Sequence, residues 1–419
     1  MMDKQRWTWF LGVVTVLAGI SAMGAGFQLY TEGSAESLGQ GGAISARRDM
    51  VSNAWYNPAS TTDFSRPQFM IGDTTVRLKI NYDDNTNGSW NLERHWRQIP
   101  HLYYVQPFNE RITGTLSLNL PYGLATDWED GWPGSATVID TRIQALYLTP
   151  AIAWKASDKL SLALGVNLVR GDAYMRRFFP AMGPLPATTM ELSGSDYAYG
   201  YLAAVNYRVN EAWNVGLKFQ SKVDLTLHGD IMYSSQFPGV YENGNAKADV
   251  RLPASVTFGV TNHSLDRWTF GMDIVWTKWN GYDNLPIWLQ HAPGTGTAGV
   301  PGSTQPAWTN TKKDWNNVFS LRLGAEYQLD EHWRLRGGYV FDQSPVSGDT
   351  RAPEMPGSDR HMFMLGFGYD TQSWGLDFAY SYLIARDVDG GNGVPIGGVY
   401  HGNYKTRAHL LSLSYRYKF

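Results

Sequence analysis

The chain has 419 residues, with 17 Trp, 24 Tyr and 17 Phe beside 44 Gly, 17% charged residues, no Cys and a formal net charge of −3, and its mean hydropathy is −0.33. A helical membrane protein would repeat apolar stretches of about 20 residues, and none follows the first 24 positions, so helical transporters are excluded. The missing Cys exclude a disulfide framework and a thiolate metal site, and so mild a charge points to no nucleic-acid partner.

At the start of the chain, Lys4 and Arg6 precede an apolar run over 7–20, and Ala22-Met23-Gly24 supplies small residues for a signal-peptidase site. Residues 1–24 therefore read as a signal peptide cleaved before Ala25. The run is short for a membrane span.

Residues 25–66 do not alternate. Gly33, Gly39, Gly41 and Gly42 sit among Ala and Ser, ahead of Trp55-Tyr56-Asn57-Pro58-Ala59. Such a stretch has room for one or two short helices and is too short to fold alone. It is long enough to plug a lumen.

Over 67–419 the dominant signal is period-2 alternation, the mark of strands with one apolar face. Leu160, Leu162, Leu164, Val166 and Leu168 alternate with Ser161, Ala163, Gly165 and Asn167; Leu411, Leu413, Tyr415, Tyr417 and Phe419 alternate with Ser412, Ser414, Arg416 and Lys418. Fourteen such segments are predicted, an even number as single-chain barrels require. They fall near 68–83, 99–107, 111–127, 143–156, 159–179, 194–208, 212–228, 248–263, 267–280, 316–328, 332–342, 360–370, 374–386 and 405–419. Connections alternate strictly between short turns, such as Phe108-Asn109-Glu110 and Ser157-Asp158, and long loops, among them 84–98, 229–247, 281–315, 343–359 and 387–404. Short periplasmic turns and long extracellular loops produce that asymmetry, and Trp213, Trp268, Trp333 and Trp374 follow short turns where an interfacial aromatic girdle would lie. The fold class expected is all-β: a 14-stranded antiparallel transmembrane β-barrel in the bacterial outer membrane, with an N-terminal hatch inside its lumen. The terminal Phe419 resembles the aromatic signal read by the barrel assembly machinery.

The start Ala25-Gly26-Phe27-Gln28-Leu29, the Leu38-Gly39 pair leading to Gly42-Ala43, and the triplet Asn57, Pro58, Ala59 resemble the N-terminal hatch of the FadL family of long-chain fatty acid transporters. Tyr122-Gly123-Leu124-Ala125-Thr126 is similar to that family's kinked third strand, and 341–346 with Pro356, Asp359 and Arg360 to its penultimate extracellular loop, so the resemblance covers nearly the whole mature chain. It implies capture of a hydrophobic ligand between loops, a deeper pocket by the folded-in N-terminus where Phe27 is a candidate contact, and lateral exit beside the kinked strand. Arg177 matches a family Arg associated with the ligand carboxylate, and a second family cation, a Lys near the start of strand ten, has no counterpart in Asp314-Trp315-Asn316-Asn317, although Lys312 and Lys313 lie slightly upstream. The hatch departs from the family at Ala46-Arg47-Arg48-Asp49, where many members carry an acidic pair.

The residues themselves support the same parts. Pro121 removes a ladder donor ahead of Tyr122 and Gly123, so pairing with a neighbour should break there and open a lateral gate. The loop after Phe179 exposes Met182 and Leu185, and the loop near 231–241 carries Phe237, apolar surface that an exposed loop rarely shows without a ligand or membrane use. Lumen charges Asp273, Arg322, Glu326, Arg334, Arg336 and Asp377 are expected to anchor the hatch by salt bridges. No Gly-x-Ser-x-Gly elbow, His-Glu-x-x-His helix or phosphate loop occurs, and the nine His lack metal spacing, so no enzyme, cofactor or metal is expected. The partners expected are a long-chain fatty acid or other hydrophobic small molecule, outer-membrane lipid and lipopolysaccharide, with the protein as a monomer. A general porin or an adhesin is the alternative, and either would lack an apolar path.

Overall fold

The structure, a computed structural model, describes residues 26–84, 88–93, 95–295, 300, 302–390 and 402–419; the expected signal peptide, 1–24, lies outside the described residues. The strands close into one fourteen-strand antiparallel barrel. In chain order the staves are β1 (Gln68–Asp84), β2 (Trp96–Pro107), β3 (Ile112–Asp127), β4 (Asp140–Lys155), β5 (Leu160–Phe179) and β6 (Thr188–Arg208). Four staves are interrupted: β7 (Trp213–Gln220, then Val223–Tyr233), β8 (Gly244–Leu252, then Ser255–Asn262), β9 (Trp268–Thr277, then Asn284–Ala292) and β10 (Gln305–Lys312, then Val318–Gln328). The ring ends with β11 (Trp333–Asp342), β12 (Arg360–Asp370), β13 (Trp374–Ala385) and β14 (Asn403–Lys418). Each stave pairs with its sequence neighbour, and β14 returns to β1 from Gln68↔Lys418 to Asp83↔Asn403. Closure leaves no sheet edge, which is what hydrocarbon demands of a strand-built span.

Exposure along the staves is inverted relative to a water-soluble sandwich. Leu164 and Leu365 are each 70% exposed and Leu413 56%, while Ser161, Asn167 and Ser414 are fully buried. The apolar face of every stave therefore looks outward, toward lipid, and the polar face toward the lumen. Trp213, Trp268 and Trp333 stand exposed at the first residue of their staves, next to short turns. Two expected long loops are partly strand: 229–247 shrinks because β7 runs on to Tyr233, and 281–315 rises as a hairpin of Asn284–Ala292 paired with Gln305–Lys312. Above the bilayer neither face meets lipid, so alternation fades while backbone pairing continues.

The segment 26–62 is almost wholly buried and touches staves around the ring. It contains helices Ala35–Leu38 and Asn53–Tyr56 and 3-10 turns Thr31–Gly33 and Pro58–Thr61. Ser34 caps the first helix by accepting the Ser37 N–H at 3.1 Å. The Ala35 N–H donates to Ser414 Oγ on β14 (2.9 Å), Tyr103 on β2 donates to the Gly33 carbonyl (2.5 Å), and Lys218 on β7 donates to the Trp55 carbonyl (2.7 Å). Tyr30 reaches Thr257 on β8 at 3.1 Å, and Arg47 pairs with Glu326 on β10 at 2.9 Å.

A ladder of glycines makes the close approach feasible. Gly216 lies directly across from Gly259, and Gly271, Gly324 and Gly338 lie across from one another on β9, β10 and β11. A Cβ at Gly271 would fall 2.0 Å from the Ala43 carbonyl oxygen, at Gly259 2.1 Å from Ser45 Oγ, and at Gly324 2.5 Å from the Gln40 carbonyl oxygen. The backbone of 40–45 thus lies directly on the wall, where no side chain has room.

The lumen charges hold the segment less by salt bridges than expected. Of the six, Glu326 alone has an ion pair to it among the described residues, with Arg47. Asp273 accepts the Ser45 N–H at 3.2 Å, and the Arg322 guanidinium lies 3.6 Å over the Tyr30 ring. Arg336 pairs with Glu326 and Asp377, and Arg334 with Asp370, all on the wall itself. In a low-dielectric lumen a charge is satisfied best by its nearest rigid neighbour, which is the adjacent stave.

Candidate ligand cavity and wall break

Above the N-terminal segment lies a cavity with about 800 Å³ of unfilled space, counting its open mouth. Its walls are mostly apolar: Phe27, Leu124, Ile143, Leu192, Leu227, Val250, Leu285, Ile287, Trp315 and Met355 contribute from the N-terminal segment, six staves and two loops. The charged groups among its lining are Arg142, Lys247, Lys313 and Glu354. Arg142 is paired with Asp140, and Lys313 Nζ with Glu354 Oε1 at 2.6 Å.

Phe27 is held in an aromatic cage, edge-on to Trp279, Tyr122 and Tyr282 with ring centroids 5.1, 5.9 and 6.2 Å away, and tilted against Trp315 at 5.9 Å. Such geometry adds to simple burial. The residues around Phe27 also pair with β3: Leu29 donates its N–H to the Pro121 carbonyl (2.7 Å), and Gly123 donates to the Phe27 carbonyl (2.8 Å).

This pairing occurs where β3 leaves its neighbour. The β2–β3 ladder stops at Leu102↔Leu118, and the next contact along that seam is the lone bridge Leu92↔Trp128. On the other edge the β3–β4 register shifts between Asn119 and Tyr122. Asn119 through Thr126 are all buried, without alternation, so the strand bends inward from the wall over this stretch. Pro121, which has no N–H to give a ladder, stands at the bend.

The remaining candidate residues divide into two groups. Asn57, Pro58 and Ala59 are structural: Asn57 Oδ1 accepts the Ala59 N–H (3.1 Å), its Nδ2 donates to the Val205 carbonyl on β6 (3.0 Å), and Ala59 packs with Ala153, Ala163 and Ala204. Arg177, Met182, Leu185 and Phe237 do not line the cavity. Arg177 ends β5 half-buried, its Nε donating to Met175 Sδ at 3.2 Å. Met182 and Leu185 close a turn by exchanging backbone hydrogen bonds (3.1 and 3.0 Å), and Phe237 closes another with Tyr241, whose ring stacks on Phe179. They stand on two loops that meet where the Phe179 and Tyr241 rings stack. Lys313, just upstream of β10's second part, lines the cavity. Sequence reading also passed over Trp279 and Tyr282, whose signal was the clustering of Trp and Tyr over 276–282 where a predicted strand meets a long loop, and Glu354, which carried no signal of its own.

A closed, lipid-facing barrel with its lumen occupied by its own N-terminal segment and an apolar cavity above it defines an outer-membrane transport protein. The family model for outer membrane transport proteins of the OMPP1/FadL/TodX type matches residues 14–419, and the chain belongs to that family. It is 26% identical over 450 residues to a long-chain fatty acid transport protein of Escherichia coli and 24% identical over 466 residues to outer membrane protein P1 of Haemophilus influenzae, with 98% of each chain covered in both cases. Among solved structures, a Pseudomonas aeruginosa FadL homologue superposes with a TM-score of 0.82 at 22% identity, covering 94% of this chain and all of that one. The toluene transporter TodX of P. putida superposes with a TM-score of 0.76 at 16% identity over 93% of this chain and 99% of its own. The fold is shared throughout, and the protein resides in the outer membrane.

Proposed function

We propose that the protein carries long-chain fatty acids or similar hydrophobic compounds across the outer membrane. The observation that carries this reading is the apolar cavity whose wall includes Phe27, the residue that also pairs with the bent part of β3. In this reading residues 25–66 act as the hatch, Met182, Leu185 and Phe237 belong to the loops that first capture ligand, and the seam at Pro121, Tyr122 and Gly123 is the lateral exit. Its neighbours are outer-membrane lipid and lipopolysaccharide, the barrel assembly machinery inserts it, and the protein works as a monomer. The relatives named for fatty acid and toluene transport support the ligand class. A general porin fits less well, because a filled lumen conducts little.

Binding of a homologous series of alkanols to the purified protein in mild detergent tests the reading. Each added methylene that enters the cavity contributes roughly 0.8 kcal/mol, so affinity should climb steeply with chain length until the cavity is full. A flat series would refute an apolar ligand site.

A further inference from the structure

Glu354 lies on a turn, 352–355, that folds over the cavity from the loop between β11 and β12. Its Oε1 receives the Lys313 ammonium at 2.6 Å, and the two side chains are only 15% and 9% exposed. Its other oxygen, Oε2, is buried and has no hydrogen-bond partner among the described residues. Burial pushes the Glu354 carboxyl up, and Lys313, with Arg177 adding from farther away, brings it below its usual range. Two cations therefore act on one carboxylate; of the other charged groups in the cavity lining, Arg142 is paired with Asp140 and Lys247 lies 5.3 Å over the Trp288 ring.

The backbone of the same loop is pinned on both sides of the cavity. Thr350 donates to the Lys313 carbonyl, Thr126 at the outer end of β3 donates to the Glu354 carbonyl (3.3 Å), and Trp128 Nε1 donates to the Pro353 carbonyl (3.2 Å). Glu354 is thus held where the head group of an acidic ligand would have to lie in order to reach Lys313.

We propose that Glu354 is a built-in carboxylate that occupies the head-group position at Lys313, so that the cavity takes neutral hydrophobic compounds as it stands and takes an acid only by displacing Glu354. This inference rests on the reading of the cavity as the ligand site. The physical reason is that a displaced carboxylate must either stay buried without its partner, which is costly, or leave with its loop. A neutral alcohol meets neither demand. Glu354 is accordingly a specificity-determining residue, and an acid that does bind loosens the loop's hold on the outer end of β3.

The test is Trp fluorescence titration of the purified full chain in mild detergent with decanoate and decanol, for the wild type, Glu354→Gln, Glu354→Asp and Glu354→Gln combined with Lys313→Met. Heat-modifiable migration on gels verifies that each variant is folded. The wild type should bind decanol at least as tightly as decanoate. Glu354→Gln should shift the preference toward decanoate by about tenfold, the size of one charge-assisted hydrogen bond. Glu354→Asp should keep the wild-type preference, and the added Lys313→Met should abolish the shift. If both ligands bind and Glu354→Gln leaves their ratio unchanged, the inference is overturned while the cavity reading stands. If the wild type binds neither, the cavity reading fails and this inference goes with it.

Discussion

Gly123 donates its backbone N–H to the Phe27 carbonyl at 2.8 Å, so the residue in the cavity wall and the residue at the bend of β3 share one hydrogen bond. A ligand that pushes on the Phe27 ring pushes on a strand edge already free of its neighbour. Cavity and wall are thereby mechanically adjacent, with no intervening element.

Phe27→Ala is expected to weaken decanol binding several-fold, since it removes a ring from the cavity wall and loosens the aromatic cage that shapes it. Fluorescence titration measures it. A change below twofold would remove Phe27 from the site.

Replacing Pro121 with Ala and Gly123 with Val restores a ladder donor and a strand-favouring side chain at the bend. Uptake of a hydrophobic carbon source by cells should slow several-fold while the barrel stays heat-modifiable. Unchanged uptake would make the bend irrelevant to exit.

The glycine ladder predicts a contrast. Gly271→Val places a Cβ 2.0 Å from the Ala43 carbonyl oxygen and should displace 40–45, raising single-channel conductance in planar bilayers, whereas Gly337→Ala meets nothing within 4 Å and should leave conductance as it was. Equal conductance in both variants would show that the segment does not plug the lumen.

Asp63 ties the end of the N-terminal segment to the periplasmic rim through Arg48 at 2.6 Å, Arg208, and Lys155 at 3.6 Å. Burial pushes its carboxyl up, but Arg48, then Arg208 and Lys155, bring it below the usual 3.8. A carboxyl lowered on folding stabilises the fold above its unfolded value, and that contribution is lost as pH falls through the folded one. The melting temperature of the wild type should therefore fall more steeply than that of Asp63→Asn as pH drops below about 4. Parallel curves for the two proteins would deny the tether.

The barrel is legible in the sequence because lipid imposes a strict period of two on each stave, as β14 shows from Leu411 to Tyr417. The hairpin Asn284–Ala292 with Gln305–Lys312 is not, because Leu285, Ile287, Trp288 and Leu289 rise above the bilayer and have no lipid face to enforce alternation. Pro121 marks its bend by chemistry alone, since a missing N–H is visible in one residue. The Lys313–Glu354 pair is invisible for the opposite reason: the partners sit in different loops, and only the closed ring brings them together. Arg177, read as a head-group contact, lies outside the cavity lining and acts electrostatically on Glu354.

Growth and uptake in a strain lacking the gene, with and without the restored wild-type chain, test the central claim most directly. Restoration is predicted to speed uptake of at least one long-chain fatty acid or hydrocarbon and to leave permeation of small polar sugars unchanged. Faster sugar permeation with no change for any hydrophobic compound would contradict the account and mark the protein as a porin.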